Sequence, residues 1–171
     1  MPQRWISSGP RSFVLSAYIR IISLCSLLCF ISGAPPPGTG NIVGVRANML
    51  AAEIAYEKKD FSSSLSYWLT AAGIQKNSYL NPVCYFNAAS CSEELNNDSD
   101  AATYYEMAAN SKEFLLATRA MFNLARVKES LGDNAGAAEV YKNLVEGHPY
   151  DTWANLAQSR LIALKADGFI E

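Results

Sequence analysis

Phe86-Asn87-Ala88-Ala89 returns 36 residues later as Phe122-Asn123-Leu124-Ala125. A longer pattern recurs around both anchors, and a related one lies upstream. A period in this range marks a chain of stacked helical units, because one unit cannot bury its apolar face alone and must cover it with the next. Such an architecture favours a binding surface over a catalytic site.

From Ala47 onward the apolar spacing is helical, with no alternating β-branched run long enough for a strand. It predicts seven helices, over about 47–58, 61–74, 82–95, 98–109, 113–131, 134–147 and 152–165. Asp60, Asn81, Asp133 and Asp151 stand where N-caps are needed, and Asp98 or Asp100 opens the fourth helix. Pro82 sits in a first turn, where its missing N–H does no harm. Gly132 and Gly147 stop the fifth and sixth helices. Residue sizes recur within each pair. The first helix carries a small residue, Ala52, Ala89 or Ala125. The second carries a small residue followed four later by a ring: Ser64 with Trp68, Ala101 with Tyr105, Ala137 with Tyr141. Positions i and i+4 share a helix face, so each ring fills the space its small neighbour leaves.

This pattern resembles the tetratricopeptide repeat (TPR). The resemblance covers residues 46–151 as three units, about 46–80, 81–115 and 116–151. Residues 152–171 follow as a C-terminal capping helix and tail. The third unit matches best, with Phe122-Asn123-Leu124-Ala125, Leu131-Gly132-Asp133, Ala137, Tyr141 and Pro149. The first has Ala52, Tyr56, Asp60-Phe61, Trp68 and Ala71. The second departs most, with Asn96-Asn97 where the family usually has Gly-Asp. The resemblance implies an all-α fold, a right-handed superhelix of three helix pairs plus a capping helix, preceded by an N-terminal hydrophobic helix.

In TPR proteins the first helices of the pairs line a concave groove. Carried over by position, the groove candidates are Glu53 and Tyr56 in the first unit, and Phe86, Asn87, Ser90 and Glu93 in the second. In the third they are Arg119, Phe122, Asn123 and Arg126. Rings, amides and charges together make the composition of a peptide groove. The competing reading packs Phe86 and Phe122 between repeats and ties Asn87 and Asn123 to local backbone.

Composition bounds the remaining functions. Of 14 basic residues, four precede position 47, where there is no acidic residue, so the body holds 10 basic against 16 acidic side chains. That is a poor match for phosphate backbones, so no nucleic-acid partner is expected. Cys84 and Cys91, seven apart on one predicted helix, are too distant for a disulfide and read as small core residues. One histidine, His148, and no C-x-x-C give no metal site, and no cofactor is expected. Glu93-Glu94 and Asp98-Ser99-Asp100 read as helix-end charges. Gly38-Thr39-Gly40 lacks the strand and Gly-Lys-Ser/Thr of a phosphate loop.

Residues 1–34 combine Arg4, Arg11 and Arg20 with the uncharged run Ile21–Ala34. This reads as a signal peptide or a membrane anchor, the anchor using residues 13–34 if it is not cleaved. Arg20 disfavours the longer span, and Ser32-Gly33-Ala34 offers a cleavage site. Residues 35–45 form a Pro/Gly linker. Either reading puts the body outside the cytoplasm, membrane-anchored or exported to the periplasm. The layout resembles bacterial envelope TPR proteins such as the single-span ancillary subunit of the secretion translocon and exported envelope-assembly coordinators. The expected function is therefore a non-catalytic protein-interaction scaffold of the cell envelope. The alternative is a structural subunit that homo-oligomerises, with Trp153, Leu156, Leu161 and Leu164 deciding whether the last helix only covers its neighbour. An enzyme is disfavoured, because no acid, base, nucleophile and metal set clusters.

Overall fold

Three of the four residues with positive φ at helix ends mark the turn inside a helix pair: Lys59 (φ 62°), Asn96 (φ 58°) and Gly132 (φ 81°). The computed structural model describes residues 42–74, 78–111 and 114–170. They belong to one unit, Gly40–Glu171. The leader, residues 1–34, and the linker up to residue 41 lie outside the described residues. The helices are α1 (Ile42–Glu57), α2 (Phe61–Ile74), α3 (Asn81–Glu94), α4 (Asp98–Ala109), α5 (Ala117–Ser130), α6 (Asn134–Gly147) and α7 (Thr152–Ala166). Each packs on the next in chain order. The described residues are all-helical apart from turns, as the periodicity predicts.

The turns show why the pairs form. Lys59 N–H reaches Tyr56 C=O at 2.8 Å, and Asp60 N–H reaches Ala55 C=O at 2.9 Å. Asn96 and Asn97, then Gly132 and Asp133, repeat both bonds. The left-handed residue closes the first helix, and the residue after it caps the second at once. Asp60 Oδ1 accepts from Ser63 N–H at 3.1 Å, Asn97 Oδ1 from Asp100 N–H at 3.4 Å, and Asp133 Oδ1 from Gly136 N–H at 2.9 Å. A fourth copy ends α7: Gly168 has φ 78°, and Phe169 N–H bonds Leu164 C=O at 3.0 Å. The ending of α7 thus has the form of the first helices' endings, while its body covers α6.

The core is three successive clusters, one per helix pair and its neighbour. The predicted small residues Ala52, Ala89, Ala125, Ser64, Ala101 and Ala137 are all fully buried, and so are the rings of Trp68, Tyr105 and Tyr141 to within a few per cent. Ser64 keeps its buried hydroxyl satisfied by donating to Ala52 C=O at 2.8 Å, while Cys91 Sγ–H donates to Ser64 at 3.3 Å. Cys84 and Cys91 are free and buried, and burial pushes the Cys84 thiol up to about 11. Both are core residues, as their spacing implies.

Three local expectations are corrected. α1 starts at Ile42 instead of 47, because one more turn carries Val45 into the first cluster and buries Gly44. Asn81 is not a cap: Leu80 holds that position, Asn81 is the first helical residue and is buried, and Ser78 Oγ accepts from Leu80 N–H at 3.2 Å. α5 starts at Ala117, since Phe114 turns inward against Phe86 and Ala117 N–H closes a turn on Phe114 C=O at 3.0 Å.

Candidate functional site

The first helices of the pairs, α1, α3 and α5, carry all ten groove candidates, and α7 packs against α5 beside them. On α3 the Phe86 ring meets Tyr105 edge-on at 5.5 Å and Phe114 at 6.0 Å, leaving the residue 8% exposed. On α5 the Phe122 ring meets Tyr141 at 5.6 Å and Trp153 at 5.3 Å, and stays half-buried. Arg119 lies between these rows. Its guanidinium sits 5.3 Å from the Phe86 ring centre and 5.5 Å from that of Trp153. A planar guanidinium over ring faces keeps its edge donors free for a carboxylate or a carbonyl. Arg119 is exposed, and no carboxylate among the described residues pairs with it.

The charged pair Glu93 and Arg126 does something else. Arg126 Nη2 bonds Glu93 Oε2, joining α5 to α3. Tyr105 Oη donates to Glu93 Oε1 at 2.6 Å and lies 3.2 Å from Ser90 Oγ. Burial first, and then the Glu93 hydrogen bond, push the Tyr105 hydroxyl well above its ordinary value, so it stays a donor. The constellation recurs one unit on. Tyr141 Oη donates to Glu129 Oε1 at 2.7 Å, and Arg160 bonds the same carboxylate from α7. Each glutamate thus ties a ring of its own pair to an arginine of the next.

The remaining candidates are placed individually. Asn87 Nδ2 donates to Val83 C=O at 2.9 Å on its own helix. Asn123 is half-buried, and Glu53 is exposed on α1. Tyr56 is 39% exposed, packs edge-on against Phe61 at 5.1 Å, and points its hydroxyl toward Glu94. The structure therefore brings Phe86 and Arg119 together, links Phe122 to them through Trp153, joins Ser90 to Glu93 through Tyr105, and ties Arg126 to Glu93 directly. Glu53 and Tyr56 stand apart on the first unit. Sequence reasoning missed Trp153, Glu129 and Arg160 at this face. The 36-residue steps from Glu93 to Glu129 and from Tyr105 to Tyr141 carried the signal for the second lock.

Among the described residues, no three His, Cys, Asp or Glu side chains are grouped as metal ligands, and no helix is long and apolar enough to cross a membrane. Repeated helix pairs with one recurrent turn and one recurrent inter-pair lock define a helical repeat protein. The family model for the tetratricopeptide repeat matches residues 119–149, within the third unit, whose motif is the most complete of the three. A "TPR repeat-containing protein" of Treponema pallidum (strain Nichols) is 34% identical over 137 residues, 80% of this chain and 57% of that protein. The chain thus spans little more than half of that relative's length. Residues 119–149 are a tetratricopeptide repeat, and the helix pairs before them share its architecture. Such repeats are protein–protein interaction modules, and proteins built from them are generally non-catalytic scaffolds.

Proposed function

We propose that the face built by α3, α5 and α7 holds a segment of another protein, and that the chain is a non-catalytic adaptor of the cell envelope. The observation that carries the reading is Arg119. Its guanidinium is exposed, unpaired by any described carboxylate, and oriented by two rings on different helices. A cation held this way costs a partner little ordering entropy, which favours a carboxylate-bearing segment. Phe122 and Trp153, both half-buried, offer it apolar surface, and Asn123 offers an amide. The envelope setting draws its support from the acid-free basic N-terminus, the apolar run that follows it and the acidic body.

A photoactivatable residue placed at Asn123 in intact cells tests the binding face. Adducts are expected at Asn123 and absent from Glu139, and Arg119→Ala should remove them. Equal labelling at both positions, or labelling indifferent to Arg119→Ala, would overturn the reading. Alkaline washing of isolated membranes distinguishes a retained anchor from a released body, and recovery only from cytosol would sink the envelope assignment.

A further inference from the structure

The outward face of α1 carries a row of exposed apolar side chains. Its buried side, with Gly44, Val45, Asn48, Ala52 and Ala55, is turned to the first cluster. Opposite lie Val43 (68% exposed), Ala47, Leu50 (59%) and Ile54 (42%). Their spacing of 4, 3 and 4 is a coiled-coil seam, with Val43 and Leu50 at d and Ala47 and Ile54 at a. The exposed face of α7 is different in kind: Thr152, Asn155, Gln158, Ser159, Arg160 and Lys165 interrupt Leu156 and Ile162.

Charge selects the occupant. Arg46 and Glu53 both flank the seam at g positions, and both are exposed. In an antiparallel helix pair, a faces d of the partner and g faces g. The register that sets Val43 against Ile54 and Ala47 against Leu50 also sets Arg46 of each copy beside Glu53 of the other. Apolar layers and ion pairs thus fall in one register without adjustment. A parallel pair instead sets Arg46 opposite Ala51 and leaves it without a carboxylate.

We infer that α1 is a self-association face, on which a second copy of this chain docks antiparallel through Val43, Ala47, Leu50 and Ile54, with reciprocal Arg46–Glu53 pairs. The inference is independent of what the α3–α5–α7 face binds. The seam from Val43 to Ile54 is only about 17 Å long, so association is weak and concentration-dependent, assisted wherever copies are confined together.

The test uses two differently tagged full-length copies, both carrying Cys25→Ser and Cys29→Ser, one with Ala47→Cys and the other with Leu50→Cys. Oxidation in co-expressing cells should give a heterodimer band, with none from copies both carrying Ile162→Cys. Arg46→Glu in both copies should weaken the band about fivefold, since two exposed pairs become repulsions. Adding Glu53→Arg to Arg46→Glu should restore it, which a mere folding defect would not allow. A band no stronger than the Ile162→Cys control, or indifferent to Arg46→Glu, or not restored by the double reversal, overturns the inference.

Discussion

Arg160 of α7 donates through Nε to Glu129 Oε1 of α5 at 3.2 Å, on the same oxygen that accepts from the buried Tyr141 hydroxyl. One carboxylate thus joins the last pair to the helix that covers it. Removing it strands a hydroxyl in the core and a guanidinium at its edge. Glu129→Ala is expected to destabilise by about 1–3 kcal/mol, and Tyr141→Phe by about 1 kcal/mol. Urea titration checks both. A double-mutant cycle between Glu129→Ala and Tyr141→Phe should show coupling, because the two residues share the bond.

The same carboxylate predicts an acid limb. Burial alone would raise the Glu129 carboxyl, but hydrogen bonds from Arg160 and Tyr141 outweigh it and hold the carboxyl below the ordinary glutamate range. A carboxylate depressed in the folded state contributes stability above its unfolded value and loses it as pH falls through its folded one. Melting temperature should therefore fall below about pH 4.3, the ordinary glutamate value, and Glu129→Gln should flatten part of that fall. An identical acid limb in Glu129→Gln would show that other groups govern it.

What was legible in the sequence follows from what repeats. Ala52, Ala89 and Ala125, and the small-plus-ring pairs of the second helices, recur at nearly constant spacing, and each has the burial its pattern implies. Lys59 was not legible: its φ of 62° matches Asn96 and Gly132, yet lysine carries no residue signal for a left-handed turn. Nor could Phe86 be assigned to core or groove, because both faces lie on one helix turn. The contact with Phe114, a residue the periodicity placed inside a helix, settles its burial. Arg126 and Arg160 are 34 apart where their glutamates are 36 apart, so their common role emerges only in three dimensions.

The turn residues make a paired prediction. Lys59 occupies a conformation that costs an L side chain about 1 kcal/mol, and glycine adopts it freely. Lys59→Gly should raise stability by up to about 1 kcal/mol, less the added entropy of the unfolded chain. Gly132→Ala should lower it by a similar amount, although open space surrounds the new Cβ, since the strain lies in its φ of 81°. Thermal melts of both variants should move in opposite directions.

Phe86 and Arg119 touch, yet they should separate stability from binding. Phe86 is held by Tyr105 and Phe114 and is 8% exposed. Phe86→Ala is expected to cost about 3–5 kcal/mol through the cavity it leaves. Arg119→Ala removes an exposed cation whose stacking on Phe86 and Trp153 contributes about 0.5–1 kcal/mol. It should leave the melting temperature nearly unchanged while abolishing adducts from Asn123. Arg119→Lys is the sharper variant. It keeps the charge but loses the planar fork that lies between two rings and presents its edge, so binding should fall almost as far as in Arg119→Ala. Wild-type binding in Arg119→Lys would show that charge alone recruits the partner and that the rings only store the side chain.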